Sequence, residues 1–139
     1  MQRMHSEECY DNMTLIEQIA LYLQSKGIGT LSTDIFYSYA PDIEGACVTV
    51  LDTGGMQPSK DVPTKHLTFQ IFLRSEDYDA GRIKLDAIRS ALHQMRNQVI
   101  PGGGDTYFYY IFALSEGGHI GVNAAGMNEF SMNFEALIR

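Results

Sequence analysis

The sequence predicts an α+β domain: an antiparallel sheet of about five strands, with mixed pairing allowed, covered on one face by two helices. Three observations carry this. Between His66 and Arg74, Leu67, Phe69, Ile71 and Leu73 alternate with polar residues, and at Ser75 the apolar period switches from two to about 3.6. Thr14 and Glu17 make a capping-box pattern ahead of Leu15, Ile16, Ile19, Ala20 and Leu23. Near the C-terminus Phe130, Met132, Phe134, Ala136 and Ile138 alternate with Glu129, Ser131, Asn133 and Glu135.

In chain order, residues 1–13 form a polar, flexible arm, and residues 14–139 form one domain. The first helix runs over 14–26 and stops at Gly27. Aromatic residues in 35–39, ending before Pro41, mark a first strand. The turn formers Asp42 to Gly45 and the β-branched stretch 46–51 return it as a hairpin. Gly54, Gly55, Pro58 and Pro63 make 52–65 a long loop. The strand 66–74 follows, and Ser75, Glu76 and Asp77 start the second helix by supplying a cap and negative charge at its N-terminus. Tyr78, Leu85, Ile88, Ala91, Leu92 and Met95 form that helix's apolar stripe, with Arg82, Asp86, Arg89, His93 and Arg96 opposite. Pro101 and three glycines break the chain before a strand over 107–114. A glycine-rich loop over 115–127 leads to the last strand, 128–138.

A chain of 139 residues with 45% hydrophobic content has the size and composition of one soluble domain. A net charge of -7 with ten Lys and Arg argues against tight nucleic-acid binding. Cys9 and Cys47 have no paired spacing that predicts a disulfide framework or zinc site, and a reducing compartment is expected. No apolar run is long enough to cross a bilayer.

Helices on one side leave Phe72 and one face of Tyr107, Phe108, Tyr109 and Tyr110 needing cover on the other. Either the N-terminal arm or a long loop folds back over it or, the more economical reading, self-association by closed symmetry supplies it, and Ile83, off the core stripe of its helix, is read as part of the same contact. Among catalytic patterns, Val48 to Gly55 resembles the active-site strand of retroviral-type aspartic proteases, with Asp52 as the carboxylate. Gly55 departs from the Ser or Ala expected there, and a long helix does not belong in such a fold. His5, His66, His93 and His119 lack metal-ligand spacing, and Gly102 to Gly104 lacks the lysine of a phosphate loop. No cofactor or metal is expected.

The capped first helix, the strand ending Leu51-Asp52-Thr53-Gly54-Gly55, the run Thr68-Phe69-Gln70-Ile71-Phe72-Leu73-Arg74, Asp77-Tyr78 with its helix, and the closing Asn128-Glu129-Phe130-Ser131-Met132-Asn133-Phe134 together resemble phage minor capsid proteins of the tail-terminator type. The resemblance covers residues 14–138 and rests on the ordered combination. It implies a non-enzymatic virion subunit that assembles with copies of itself into a hexameric ring at the head-tail junction. The ring caps the tail tube protein and meets the head connector or stopper protein, and DNA passes through its lumen without specific binding. No membrane is involved, and assembly takes place in the host cytoplasm. On this resemblance Gly54, Gly55, Met56, His119, Ile120 and Val122 become axial loop contacts. Asp77, Asp79, Glu116 and Glu129 become candidates for an acidic, DNA-repelling lumen. A virion adaptor of related fold at another position is the alternative.

Overall fold

The computed structural model describes residues 14–41, 45–55, 61, 63–93, 95–102 and 104–139. The arm 1–13, with His5 and Cys9, lies outside these residues, as do Met56 and the turn residues 42–44. Two helices, α1 (Leu15–Ser25) and α2 (Tyr78–His93), accompany seven strands: β1 (Ile35–Tyr37), β2 (Cys47–Gly55), β3 (Lys65–Ser75), β4 (Arg96–Val99), β5 (Tyr107–Ala113), β6 (Gly118–Val122) and β7 (Asn128–Ile138). They form one mixed sheet in the order β1-β2-β3-β7-β5-β4, with β6 on β7 beside β5. It curls into a half-barrel.

The α+β class stands, but the sheet is larger than five strands. Three differences from the sequence reading have physical causes. β1 and β2 are parallel, Ile35 facing Val48 and Tyr37 facing Val50, not a hairpin. The chain leaves β1 through Ser38, in the left-handed region at φ 75°, and Pro41 becomes buried with its carbonyl taken by Arg74. It therefore re-enters the sheet at the end where β1 began. β2 also continues through Asp52 to Gly55 into the supposed loop, because β3 offers partners as far as Leu67. Two short strands were hidden: polar β4 pairs with β5, and glycine-containing β6 pairs with β7 inside the stretch read as loop. Neither has an apolar alternation of its own; pairing makes them strands.

The helix starts are built differently from each other. The Thr14 hydroxyl accepts from the Glu17 amide, and the Glu17 carboxylate reaches back to the Thr14 amide, completing the expected box. For α2 the cap is Asp77, not Ser75: its carboxylate accepts from the Ala80 amide at 3.2 Å. The Ser75 hydroxyl accepts from the Asp77 amide and donates to the Asp77 carbonyl, turning the chain off β3 into the cap. Ser75 thus ends a strand, and the helix begins three residues later.

β3 and β7 pair antiparallel along eleven residues each and form the spine of the sheet. Their inner faces give Phe69, Ile71 and Leu73 with Phe130, Met132, Phe134 and Ala136, all fully buried against Leu85, Ile88 and Leu92 of α2 and Ile19 and Leu23 of α1. Phe69 and Phe134 face each other in register and stack at 5.3 Å. The register also defines two ends. At one lie Ser75, Cys47, Asn128 and Val122; at the other lie Gly55, Lys65, Ile138, Tyr107 and Val99.

Candidate functional site

The outer face of the sheet, away from the helices, carries the residues singled out for contact. Phe72 sits between Thr49 and Ser131 in register and is half-buried, with the Arg74 guanidinium 6.0 Å from its ring centroid. Arg74 also donates to the Pro41 carbonyl at 3.0 Å and lies 3.9 Å from the Glu129 carboxylate. Further along the face, Tyr110 and Phe112 stack at 5.2 Å, while Tyr107 and Tyr109 meet edge to face at 4.9 Å. Leu137 opposes both Tyr110 and His66, and His66 lies 3.7 Å from the Glu135 carboxylate. The result is a half-covered aromatic strip on β5 and, at a different level of the same face, where β6 flanks β7, a cation-held Phe72.

Two sequence expectations about this face are corrected. Phe108 is fully buried opposite Ile138, because a bulge between Phe108 and Tyr110 re-aims the strand, so it belongs to the subunit core and has no surface to offer. Ile83 is 71% exposed, but it projects from α2, the layer on the other side of the sheet from Phe72. Phe72 and Ile83 therefore lie on opposite layers of one subunit and do not share a patch.

The two groups of loop contacts separate as well. Gly54 and Gly55 end β2, both with positive φ, and Asp52 holds the bend by accepting from the Gly54 amide at 2.9 Å. A side chain at Gly55 would strike the backbone of Leu67 at 2.8 Å. The Asp52 carboxylate is thus a strand-end device, exposed and bonded within its own turn. His119, Ile120 and Val122 lie in β6 toward the opposite end of the sheet. His119 packs edge-on against Tyr78 and Phe130 at 5.1 Å each and meets the Asn128 side chain through Nε2 at 3.0 Å. Beyond β6, the Asn123 carboxamide oxygen accepts from the amides of Ala125 and Met127, fixing the tip before β7. The stretch read as a glycine-rich loop over 115–127 contains a strand followed by a bonded turn.

The four carboxylates considered for a lumen differ in state. Glu116 is held by Arg89, and Glu129 by Arg74 with the Asn123 amide at 3.5 Å. Asp77 caps α2 and Asp79 stands in its first turn, both exposed and, among the described residues, outside any ion pair. Asp77, Asp79 and Glu129 gather at the Ser75 end, whereas Glu116 lies beside the second half of α2.

An open cleft of about 580 Å³ separates α2 from the end of β5, where Arg89 and His93 face Phe112, Leu114 and Glu116. The Arg89–Glu116 pair spans it. Among the described residues no three His, Cys, Asp or Glu side chains are grouped to hold a metal, and no helix is long and apolar enough to cross a membrane. Burial pushes the Cys47 thiol above its ordinary value, against the opposing pull of Arg74.

Sequence reading missed Arg74, Asn123 and Gly81. Arg74 reads as one polar residue of an alternation, and its partners, the Pro41 carbonyl and the Glu129 carboxylate among them, lie far along the chain. Asn123 did carry a signal, the Asn-x-x-Gly spacing to Gly126 of a side-chain-bonded turn. Gly81 leaves room for the Phe130 ring, a tertiary contact that local sequence does not reveal.

A family model described as bacteriophage tail terminator protein matches residues 22–139. No curated protein matches the chain. Among solved structures it is similar to a chain described as part of the virion of a native gene transfer agent particle, at 15% identity and a TM-score of 0.64, covering 89% of this chain and 93% of that one. At such identity the likeness is one of fold.

Proposed function

We propose, from the premise that this chain belongs to the bacteriophage tail terminator family, that it forms a hexameric ring closing the tail tube and presenting a surface to the head connector. The protein is a structural component of the virion, and the family match over residues 22–139 is the observation that carries this. Ring, stoichiometry and neighbours are our reading, as is the absence of catalysis.

A cyclic ring needs a heterologous contact, in which two different patches of each subunit meet. The opposite placement of Phe72 and Ile83 supplies such a pair: the outer sheet face with Phe72, Tyr107, Tyr109 and Tyr110 on one subunit, and the exposed α2 side with Ile83 on the next. The separation of Gly54 and Gly55 from Ile120 and Val122 supports two axial surfaces, one for the tube and one for the connector. The net charge of -7 supports DNA passage without arrest, since like charge repels the phosphate backbone. Asp77 and Asp79, without an ion pair among the described residues, belong at the mouth of that passage; Glu116 and Glu129 are offset by arginines.

Electron microscopy of the assembled particle tests this reading. A six-fold ring of this chain at the head-proximal end of the tube is expected. A copy number matching the shell, or a position elsewhere in the virion, overturns it and favours an adaptor role.

A further inference from the structure

Among the described residues, three strands lie at the ends of the pairing order with one side outside the ladder: β1, which Leu31 bridges at Ile35, β4 and β6. A free edge is a row of unpaired amides and carbonyls, and proteins that must not aggregate guard it with charge, short length or twisted backbone. β1 is three residues long and is followed by left-handed Ser38. β4 carries Arg96 and left-handed Asn97. β6 is longer than β1 and, unlike β4, has no Lys, Arg, Asp or Glu, and it exposes Ile120 at 59% and Val122 at 61%. Its bulge between His119 and Gly121 is its one guard.

β6 is also held in place from behind. His119 is clamped by Tyr78, Phe130 and Asn128, and Asn123 fixes the following turn. Positions 118 and 121 are glycines with open space where a Cβ would lie, so another backbone can approach closely. Tyr78 brings the start of α2 beside β6, and with it Glu76, Asp77 and Asp79, all exposed and, among the described residues, without an ion pair. The surface around the edge is therefore acidic, with two aliphatic side chains at its centre.

We propose that the β6 edge is a docking site for an extended, basic segment of an axial virion neighbour, which adds as a strand beside Gly118–Val122. Ladder hydrogen bonds give the contact its register, Ile120 and Val122 bury against apolar residues of the added strand, and Lys or Arg on the incoming segment meet Glu76 and Asp79. The charge rim disfavours a second copy of this acidic chain as occupant. The inference rests on the reading of the protein as a tail component with axial neighbours, and it names the element and the chemistry one neighbour uses.

The test binds the purified full chain separately to tail tube and connector assemblies from the same virion. Three proteins are compared: unchanged, Ile120→Lys/Val122→Lys, and Glu76→Lys/Asp79→Lys. Both pairs of substitutions are at exposed positions, so the thermal midpoint should be retained and serves as the folding control. The unchanged protein should bind one assembly in a salt-sensitive way, with slowed amide exchange across residues 118–122. Each double variant should weaken that binding by at least about tenfold while leaving binding to the other assembly intact. Variants that bind both assemblies as the unchanged protein does, or β6 amides that exchange equally fast in the complex, overturn the docking site. Loss of self-association in the Ile120→Lys/Val122→Lys protein, with assembly binding unchanged, assigns the edge to a second copy and also overturns it. An unchanged protein that binds neither assembly removes the axial reading itself, a result separate from any effect of the variants.

Discussion

Gly81, in the first turns of α2, lies directly beneath the Phe130 ring: a Cβ there would stand 2.8 Å from Cζ and closer still to Cε1. Phe130 is fully buried and also touches Tyr78 and His119, so it has little room to move. Gly81→Ala sets two effects against each other. Helix propensity favours alanine by about 1 kcal/mol, whereas forcing an extra methyl into a packed site costs about 1–3 kcal/mol. We expect net destabilisation of up to about 2 kcal/mol in denaturant unfolding. A more stable variant would show that α2 slides freely on β7.

Arg74 joins three elements, through the Pro41 carbonyl, the Glu129 carboxylate and the Phe72 ring. Arg74→Met keeps the aliphatic stem but removes the donor to the Pro41 carbonyl and the cation 3.9 Å from the Glu129 carboxylate. A loss of about 1.5–3 kcal/mol is expected, the range for hydrogen bonds involving a charged group. Arg74→Lys should recover only part of it, because an ammonium lacks the guanidinium fork that serves several acceptors at once. Equal stability of the Lys and Arg proteins would contradict this role.

The capping box at α1 is exposed, and its backbone contacts are long, 3.4 and 3.5 Å. Thr14→Ala should therefore cost near the lower end of the capping range, about 0.5–1 kcal/mol. Circular dichroism melts of the two proteins measure it. A loss above about 2 kcal/mol would mean that Thr14 carries contacts beyond the cap.

Cys47 is buried opposite Arg74, and burial raises its thiol above the ordinary 9.0. In the native protein its thiol should alkylate far more slowly than in the unfolded chain, as read by mass spectrometry of the peptide bearing it. The linkage follows in sign: the unfolded chain releases this proton first, so the contribution to stability is complete below pH 9.0 and declines as pH rises through the folded value. Cys47→Ala should flatten that alkaline slope.

If Phe72 and Ile83 belong to the two halves of one ring contact, Phe72→Asp and Ile83→Asp should each abolish rings alone. Mixed together, they should form dimers through the one contact that remains intact in such a pair, and no larger species. Light scattering of the separate and mixed proteins decides it. Rings formed by either variant alone would remove that residue from the contact.

The long elements were legible because each repeats its pattern many times: β3 and β7 by alternation, α2 by its apolar stripe, α1 by its cap. What escaped was decided by partners far along the chain. β2 runs parallel to β1, and the crossover between them packs through Pro41, whose carbonyl accepts from Arg74 on β3. Gly118–Val122 has two glycines and no alternation, yet it is ordered because Phe130 and Tyr78 hold His119. Ser75 was a sound boundary read one step early; its hydroxyl shapes the turn that lets Asp77 cap. On the surface, the sequence supplied the residues but not their sides. Alternation put Phe72 and the β5 tyrosines away from the helices, but no local signal buries Phe108 or sets Ile83 on the opposite layer.

The run of β3 from Leu67, beside Gly55, to Ser75, beside Asn128 and β6, spans about 26 Å of extended strand. Electrostatic influence between exposed groups fades over about 10 Å at 0.1 M salt. Carboxylates at the β6 end therefore have no field-borne effect on what binds near Gly55. If engagement at one end alters affinity at the other, the message is mechanical, carried by the paired backbones of β3 and β7 sliding or twisting as a unit, and it should persist at high salt.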